Sequence, residues 1–275
     1  MQVRHHLRNF SNMIKKLNYY CAFILLLSAC SKEKETITFE TITAEKTVAL
    51  SNDSIPPTCS VTIHLDQATA ESGRAGEIIN ATVAKQLFNH GDDGLQQAAE
   101  AFAEEYTTNY VKTLLPLYNH DRQDSTKSTW YHYHYIINSH TQAGSPGTLV
   151  YLADINSREG NAHAISQQVV MNFDTATGRL LSAKDVFVDG FETLLKPILL
   201  EALQQKTGLG TLKDLRASGY LKETDIFVPE NFILSSDAIT FVFNPDEIAP
   251  YSLGSTELTI SYTALEKILN ATFEH

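Results

Sequence analysis

His132 and His134 stand two residues apart in Trp130-Tyr131-His132-Tyr133-His134-Tyr135-Ile136-Ile137, and side chains two apart share one face of a strand. Two imidazoles so placed can share a metal ion. His163 falls on an expected neighbouring strand, and the three together would suit a zinc with an open fourth position. No carboxylate ligand is fixed nearby, so the plainer reading is a wetter sheet face where His and Tyr pair across strands, with no metal and no cofactor. Asp154, Asp185, Asp189, Asp225, Asp246 and Glu247 offer carboxylates. A glycoside hydrolase needs two of them at a defined separation, one with a raised pKa. Asp174, Asp185 and Asp189 read better as turn residues and helix caps. The chain holds no G-x-S-x-G elbow, no HExxH pair and no phosphate-cradling glycine loop, which argues against an enzyme.

The remaining reactive group is a thiol near the start. Lys15 and Lys16 precede an apolar run from Leu17 to Leu27, and Leu27-Ser28-Ala29-Cys30 follows. Small residues before a cysteine are what a lipoprotein signal peptidase reads, and the apolar run falls short of the roughly 20 residues that span a bilayer. Residues 1–29 are therefore expected to be a signal peptide, with lipid carried on Cys30. Stable anchoring requires more than one acyl chain there. The expected place is the outer membrane, facing the periplasm or the cell surface, with the membrane as first partner. Cys21 leaves with the leader, so Cys59 is the one internal thiol and no internal disulfide can form.

Composition narrows the partners. The 275 residues carry 21 Lys plus Arg against 32 Asp plus Glu. Removing Arg4, Arg8, Lys15 and Lys16 with the leader leaves 17 against 32, a formal charge of −15. Nucleic acid, which demands basic patches, is excluded as a partner. A basic protein would be steered toward such a surface.

The elements that must position these groups alternate between two periods. Residues 30–57 are rich in Thr, Glu, Lys and Ser and end in Ile55-Pro56-Pro57, which reads as a tether with one extended piece near Ile42 to Leu50. Val61, Ile63 and Leu65 mark a strand. One helix follows with Ile79, Val83 and Leu87 on a stripe, and a second with Ala99, Phe102, Tyr106, Tyr110 and Leu114, stopped by Pro116. Strands are expected at 130–137, 149–155 and 162–173, joined by Gly144-Ser145-Pro146-Gly147 and later turned at Asp174-Thr175-Ala176-Thr177-Gly178. A helix capped by Asp189 runs to Gly208 and a short one covers 212–218. Strands at 226–234, 239–243 and 257–262 and a last helix from 263 to about 273 close the chain. Blocks of helices and blocks of strands imply an α+β fold, with antiparallel sheets and packed helices in two lobes.

Specific blocks in the second half resemble a known family. Leu149-Val150-Tyr151, Gly160-Asn161-Ala162-His163, Asn172-Phe173-Asp174, Thr177-Gly178-Arg179 and Ala183-Lys184-Asp185-Val186-Phe187 resemble the RsiV-like C-terminal domain family. So do Asn231-Phe232, Phe241-Val242-Phe243-Asn244, Glu247-Ile248-Ala249-Pro250-Tyr251-Ser252-Leu253-Gly254 and Ile260-Ser261-Tyr262. The family's turn carries a second glycine where Asn161 stands, and Asn is the residue that best tolerates the same conformation. Residues 58–148 are similar to the PdaC-type domain that precedes it, and residues 149–275 correspond to the RsiV-like domain. The resemblance implies a two-lobed envelope protein without catalytic residues, recognising peptidoglycan or a basic, lysozyme-like protein. Gly160, Asn161, Ala162, His163, Tyr251 and Gly254 are the candidate binding positions. Their plainer alternative is a tight turn, a buried His and a Tyr packing a corner.

Overall fold

Alternation from Thr58 to Ala68 places Cys59, Val61, Ile63 and Leu65 on one side of the chain. In the computed structural model, which describes residues 36–90, 94–273 and 275, this stretch is strand β2 with those four side chains buried. The leader and Cys30 lie outside the described residues. Strand β1 (Phe39–Ala49) pairs antiparallel with β2 along its whole length. Much of the expected tether is thus an edge strand, because Ile42, Ala44 and Val48 reach the helix-covered side while the Thr and Glu residues between them face solvent.

Helices α1 (Gly73–Phe88) and α2 (Leu95–Asp121) follow, then β3 (Tyr133–Ala143), β4 (Thr148–Glu159), β5 (Ile165–Asp174) and β6 (Leu180–Leu181). The order in the first sheet is β1-β2-β3-β4-β5-β6. Only β2 and β3 run parallel there, since the chain returns to β3 through the helical crossover. Both helices lie on one face and close a core around Ile63, Leu65, Ile79, Val83, Ile137, Tyr151 and Phe173. The division expected after residue 148 falls inside this sheet, between β3 and β4.

Pro116 does not stop α2, which continues to Asp121. Proline removes one backbone donor, but the last turn is fastened from outside. Tyr118 packs edge-on against Tyr131 and donates its hydroxyl to Asp53 at 2.7 Å, and Tyr110 donates to the Tyr131 carbonyl oxygen at 2.7 Å. Trp130 and Tyr131, expected on a strand, belong to a 3₁₀ turn (Ser125–Tyr131) that delivers Tyr131 to this cluster.

A second layer begins at α3 (Ala183–Val186). Helix α4 (Phe191–Thr207) and α5 (Leu212–Ala217) lead to β7 (Phe232–Leu234), β8 (Ala238–Phe243), β9 (Thr256–Ser261) and α6 (Tyr262–Leu265). Gly190, in the left-handed region, starts α4 where Asp189 was the expected cap. The β7-β8-β9 sheet and α4 bury Leu195, Leu199, Leu203, Phe241, Phe243 and Leu258. β7 is shorter than expected because Pro229 has no N–H for a ladder. The final helix is one turn, since the chain then leaves to pair with residues 186–188: Val188 N–H donates to the Ile268 carbonyl at 2.9 Å. Thr36–His275 clusters as one unit, an α+β architecture of two mixed layers. No helix among the described residues is long and apolar enough to cross a membrane.

Candidate functional site

Three asparagines join the layers. Asn172, on β5, donates its amide to the Phe232 carbonyl at 2.6 Å and accepts from Leu234 N–H at 3.1 Å. Asn231 accepts from Val170 N–H at 2.9 Å and donates to the Gln168 carbonyl at 3.1 Å. Asn244 accepts from Gln168 N–H at 2.7 Å and donates to the same carbonyl at 3.1 Å. Beyond its short pairing with β6, the β5 edge is therefore finished by side-chain amides that imitate a neighbouring backbone. Val150, Leu152, Val170 and Val242 fill the space behind them.

This seam leaves a cleft of about 530 Å³ beside it. Its floor is Asp154 on β4 and residues 166–168 on β5, and its far wall is the loop from Asn244 to Ser255 with Glu257 on β9. The loop is tightly tied. Asn244 N–H donates to the Glu247 carboxylate at 2.8 Å, and Tyr251 N–H donates to Asp246 at 2.7 Å. Asp246 and Gly254 both take left-handed φ values, 69° and 70°. A 3₁₀ turn over Tyr251–Leu253 results, which keeps the Tyr251 ring at the surface with 38% of its area exposed. Burial pushes the Glu247 carboxyl above the ordinary glutamate value, against the stabilising Asn244 N–H, with Glu230 adding to the rise.

The lining is a hydrogen-bonding surface: hydroxyls of Ser166, Ser252 and Ser255, amides of Gln167, Gln168 and Asn244, and carboxylates of Asp154 and Glu257. Gln168 donates to Asp154 at 2.9 Å, which orients both. Among the described residues no Lys, Arg or His lines it, so those side chains offer phosphate no counter-charge there. Uncharged polyhydroxy or amide-bearing ligands find donors, acceptors and one aromatic face.

Of the candidate positions, Tyr251 and Gly254 line this cleft and Gly160, Asn161, Ala162 and His163 do not. These four form the β4–β5 connection. Gly160 is buried at φ 59°, donates to the His132 carbonyl at 3.0 Å and lies against the Trp130 backbone. Asn161 accepts from the Thr129 hydroxyl at 2.9 Å, and Ala162 N–H donates to the Glu159 carbonyl at 3.0 Å. His163 is exposed in this turn, ahead of β5, so it neither shares a strand face with His134 nor is buried. His132 precedes β3 and its Nδ1 accepts from Thr58 N–H at 3.4 Å. Among the described residues no group of three His, Cys, Asp or Glu is arranged to hold a metal.

Three of the other carboxylates have structural partners. Asp185 closes a capping box with Ser182 and pairs with Arg179 at 2.7 Å. Burial works against its charge, but the Ser182 N–H and hydroxyl with Arg179 hold its carboxyl below the ordinary value. Asp225 pairs with Arg216 at 3.0 Å, and Asp174 accepts from Thr177 N–H at 2.8 Å. Gln168, Asn244 and Glu257 were not foreseen as site residues. Asn244 was visible as part of a motif, whereas Gln168 and Glu257 carried no local signal.

Residues 184–263 match a family described as a protein of unknown function, DUF3298, and this segment contains most of the second core and the cleft's far wall. No curated protein matches the chain. A solved DUF3298 family member from Bacteroides fragilis NCTC 9343 is 28% identical, with a TM-score of 0.80 over 87% of this chain and 96% of that one. A DUF3298 family protein from Pseudomonas aeruginosa PAO1 shares the fold at 16% identity and a TM-score of 0.60, over 88% of this chain and 99% of that one. The chain is thus similar through most of its length to DUF3298 proteins of known structure, and its residues 184–263 match that family directly.

Proposed function

We propose that this protein is an outer-membrane lipoprotein, held through acylated Cys30, that binds a cell-envelope component in the Tyr251 cleft without transforming it. The likeness to RsiV-like and PdaC-type envelope domains supports this reading. So do the lipoprotein box and a lining rich in hydrogen-bonding groups. The observation that carries it is the cleft itself, where an exposed aromatic ring stands beside ordered amides and carboxylates, with no Lys, Arg or His among the described lining residues. Peptidoglycan is the ligand such a surface suits, by ring stacking and hydrogen bonds to hydroxyl and acetamido groups. A basic, lysozyme-like protein is the second reading, favoured by the formal charge of −15 on residues 30–275.

Isothermal titration of the mature protein with soluble peptidoglycan fragments, and separately with lysozyme, tests both. Binding to the fragments should weaken about tenfold in Tyr251→Ala, the loss of one aromatic contact of about 1.4 kcal/mol. Absence of binding to either partner at high micromolar concentration would defeat the reading. Mass spectrometry of native protein should find the mature chain beginning at an acylated Cys30.

A further inference from the structure

Among the described residues, the side of the first sheet away from α1 and α2 is covered only in part. The second layer packs on it through Val150, Leu152 and Val170 of β4 and β5. Over β1, β2 and β3 the outward residues remain exposed or half-exposed from Thr58 to Asp66 of β2 and along the strands beside it. The strand register converts this into transverse rows. Thr43 lies opposite His64, His64 opposite Asn138, Asn138 opposite Asp154 and Asp154 opposite Gln168. Two adjacent pairs of this row are hydrogen-bonded: His64 with Asn138 at 3.1 Å, and Gln168, which donates to Asp154 at 2.9 Å. Its inner end, Asp154 and Gln168, is the floor of the Tyr251 cleft. Five strands at about 4.8 Å spacing make the row roughly 19 Å long. Cleft and row form one continuous polar track.

We propose that the ligand is a linear chain of uncharged sugar rings, lying across the strands from the Tyr251 cleft over Asp154, Asn138 and His64 toward β1. This rests on the reading of the cleft as a ligand site and names the polymer that it takes. The chemistry of the track selects the occupant. Its hydroxyl, amide and imidazole groups, spaced one strand apart, meet the hydroxyl and acetamido groups of successive sugars. Half-buried Ile136, in the next row beside Thr62 and Asn156, offers apolar area for a ring face. A phosphate polymer would meet Glu45 and Asp154, with Arg158 the one Lys or Arg to offset them among the outward residues described on these strands. A protein partner would need a large central anchor, and half-buried Ile136 is the one aliphatic side chain larger than Ala among the outward residues of β1, β2 and β3.

The test compares a disaccharide and a hexasaccharide of N-acetylglucosamine by titration against the mature protein and its His64→Ala/Asn138→Ala variant. Both side chains are at the surface, so circular dichroism should show an unchanged melt. The hexasaccharide should bind about tenfold tighter than the disaccharide, and the variant should lose that gain while keeping disaccharide affinity. Equal affinity for the two lengths, or a gain that survives in the variant, overturns the track and leaves the cleft standing. Failure of both sugars and of peptidoglycan fragments removes the cleft reading and the track with it. Binding of lysozyme, but no saccharide, with loss in the variant would assign this face to a protein and overturn the proposal.

Discussion

Gly160 occupies a backbone site that a side chain cannot share. Its φ of 59° belongs to the left-handed region, and a Cβ built there would collide with the Trp130 carbonyl oxygen. Glycine is therefore required twice, by conformation and by contact. Replacing it, as Gly160→Ala, should destabilise the protein by about 1–3 kcal/mol, read as a lower midpoint in urea; an unchanged midpoint would contradict this close approach. Asn161→Ala removes only the exposed bond to Thr129 and should cost far less. The turn was legible in Gly160-Asn161 because backbone strain is local. Its lack of connection to Tyr251 was not, because nothing in either segment encodes the distance between them. The same holds for His163: the i to i+2 rule applies within a strand, and a turn cancels it.

At the level of elements, the seam between the layers rests on side chains imitating a strand. Asn172 is 2% exposed and serves two backbone groups of β7. Asn172→Ala leaves the buried Phe232 carbonyl and Leu234 N–H without this partner, at about 1–3 kcal/mol each and about 2–6 kcal/mol together. Equilibrium urea denaturation should show that loss; a cost below 1 kcal/mol would mean that another group takes over. Asn172, Asn231 and Asn244 all sit in the motif blocks read from sequence, yet their task was hidden. Each joins residues 60 to 76 positions apart, beyond any periodicity. The period-two pattern of Val61, Ile63 and Leu65 did reveal β2, since its two faces differ in burial. Pro116 misled for the converse reason: local propensity was overridden by Tyr110 and Tyr118 docking on Tyr131.

For the molecule as a whole, two cores share one seam, and the first is built from both sides of residue 148. Tyr151, Ala153, Met171 and Phe173, all on β4 and β5, line the core that α1 and α2 cover. A fragment of residues 36–148 would expose that apolar surface and should show no cooperative thermal transition by circular dichroism. A cooperative melt from the fragment would show that β4 and β5 are dispensable. The α+β class was legible at this scale because helices and strands arrive in blocks. The arrangement of the layers was not, since it depends on which sheet face the second layer covers.

The parallel junction of β2 and β3 sets the order in which the first sheet can assemble. The β1–β2 hairpin and the β3-β4-β5 meander each join chain neighbours, and both can form early. Their union must wait until α1 and α2 have been laid down between them, so a long loop is closed before its contacts reward it. Until that moment the hairpin presents Val61, Ile63 and Leu65 to water beside an unpaired edge. Cys59, whose thiol is pushed up to about 11 by burial with a contribution from Glu159, is open to solvent over the same interval. A thiol reagent supplied during refolding therefore times the closing of this junction, trapping chains that have not yet joined the two halves and sparing those that have.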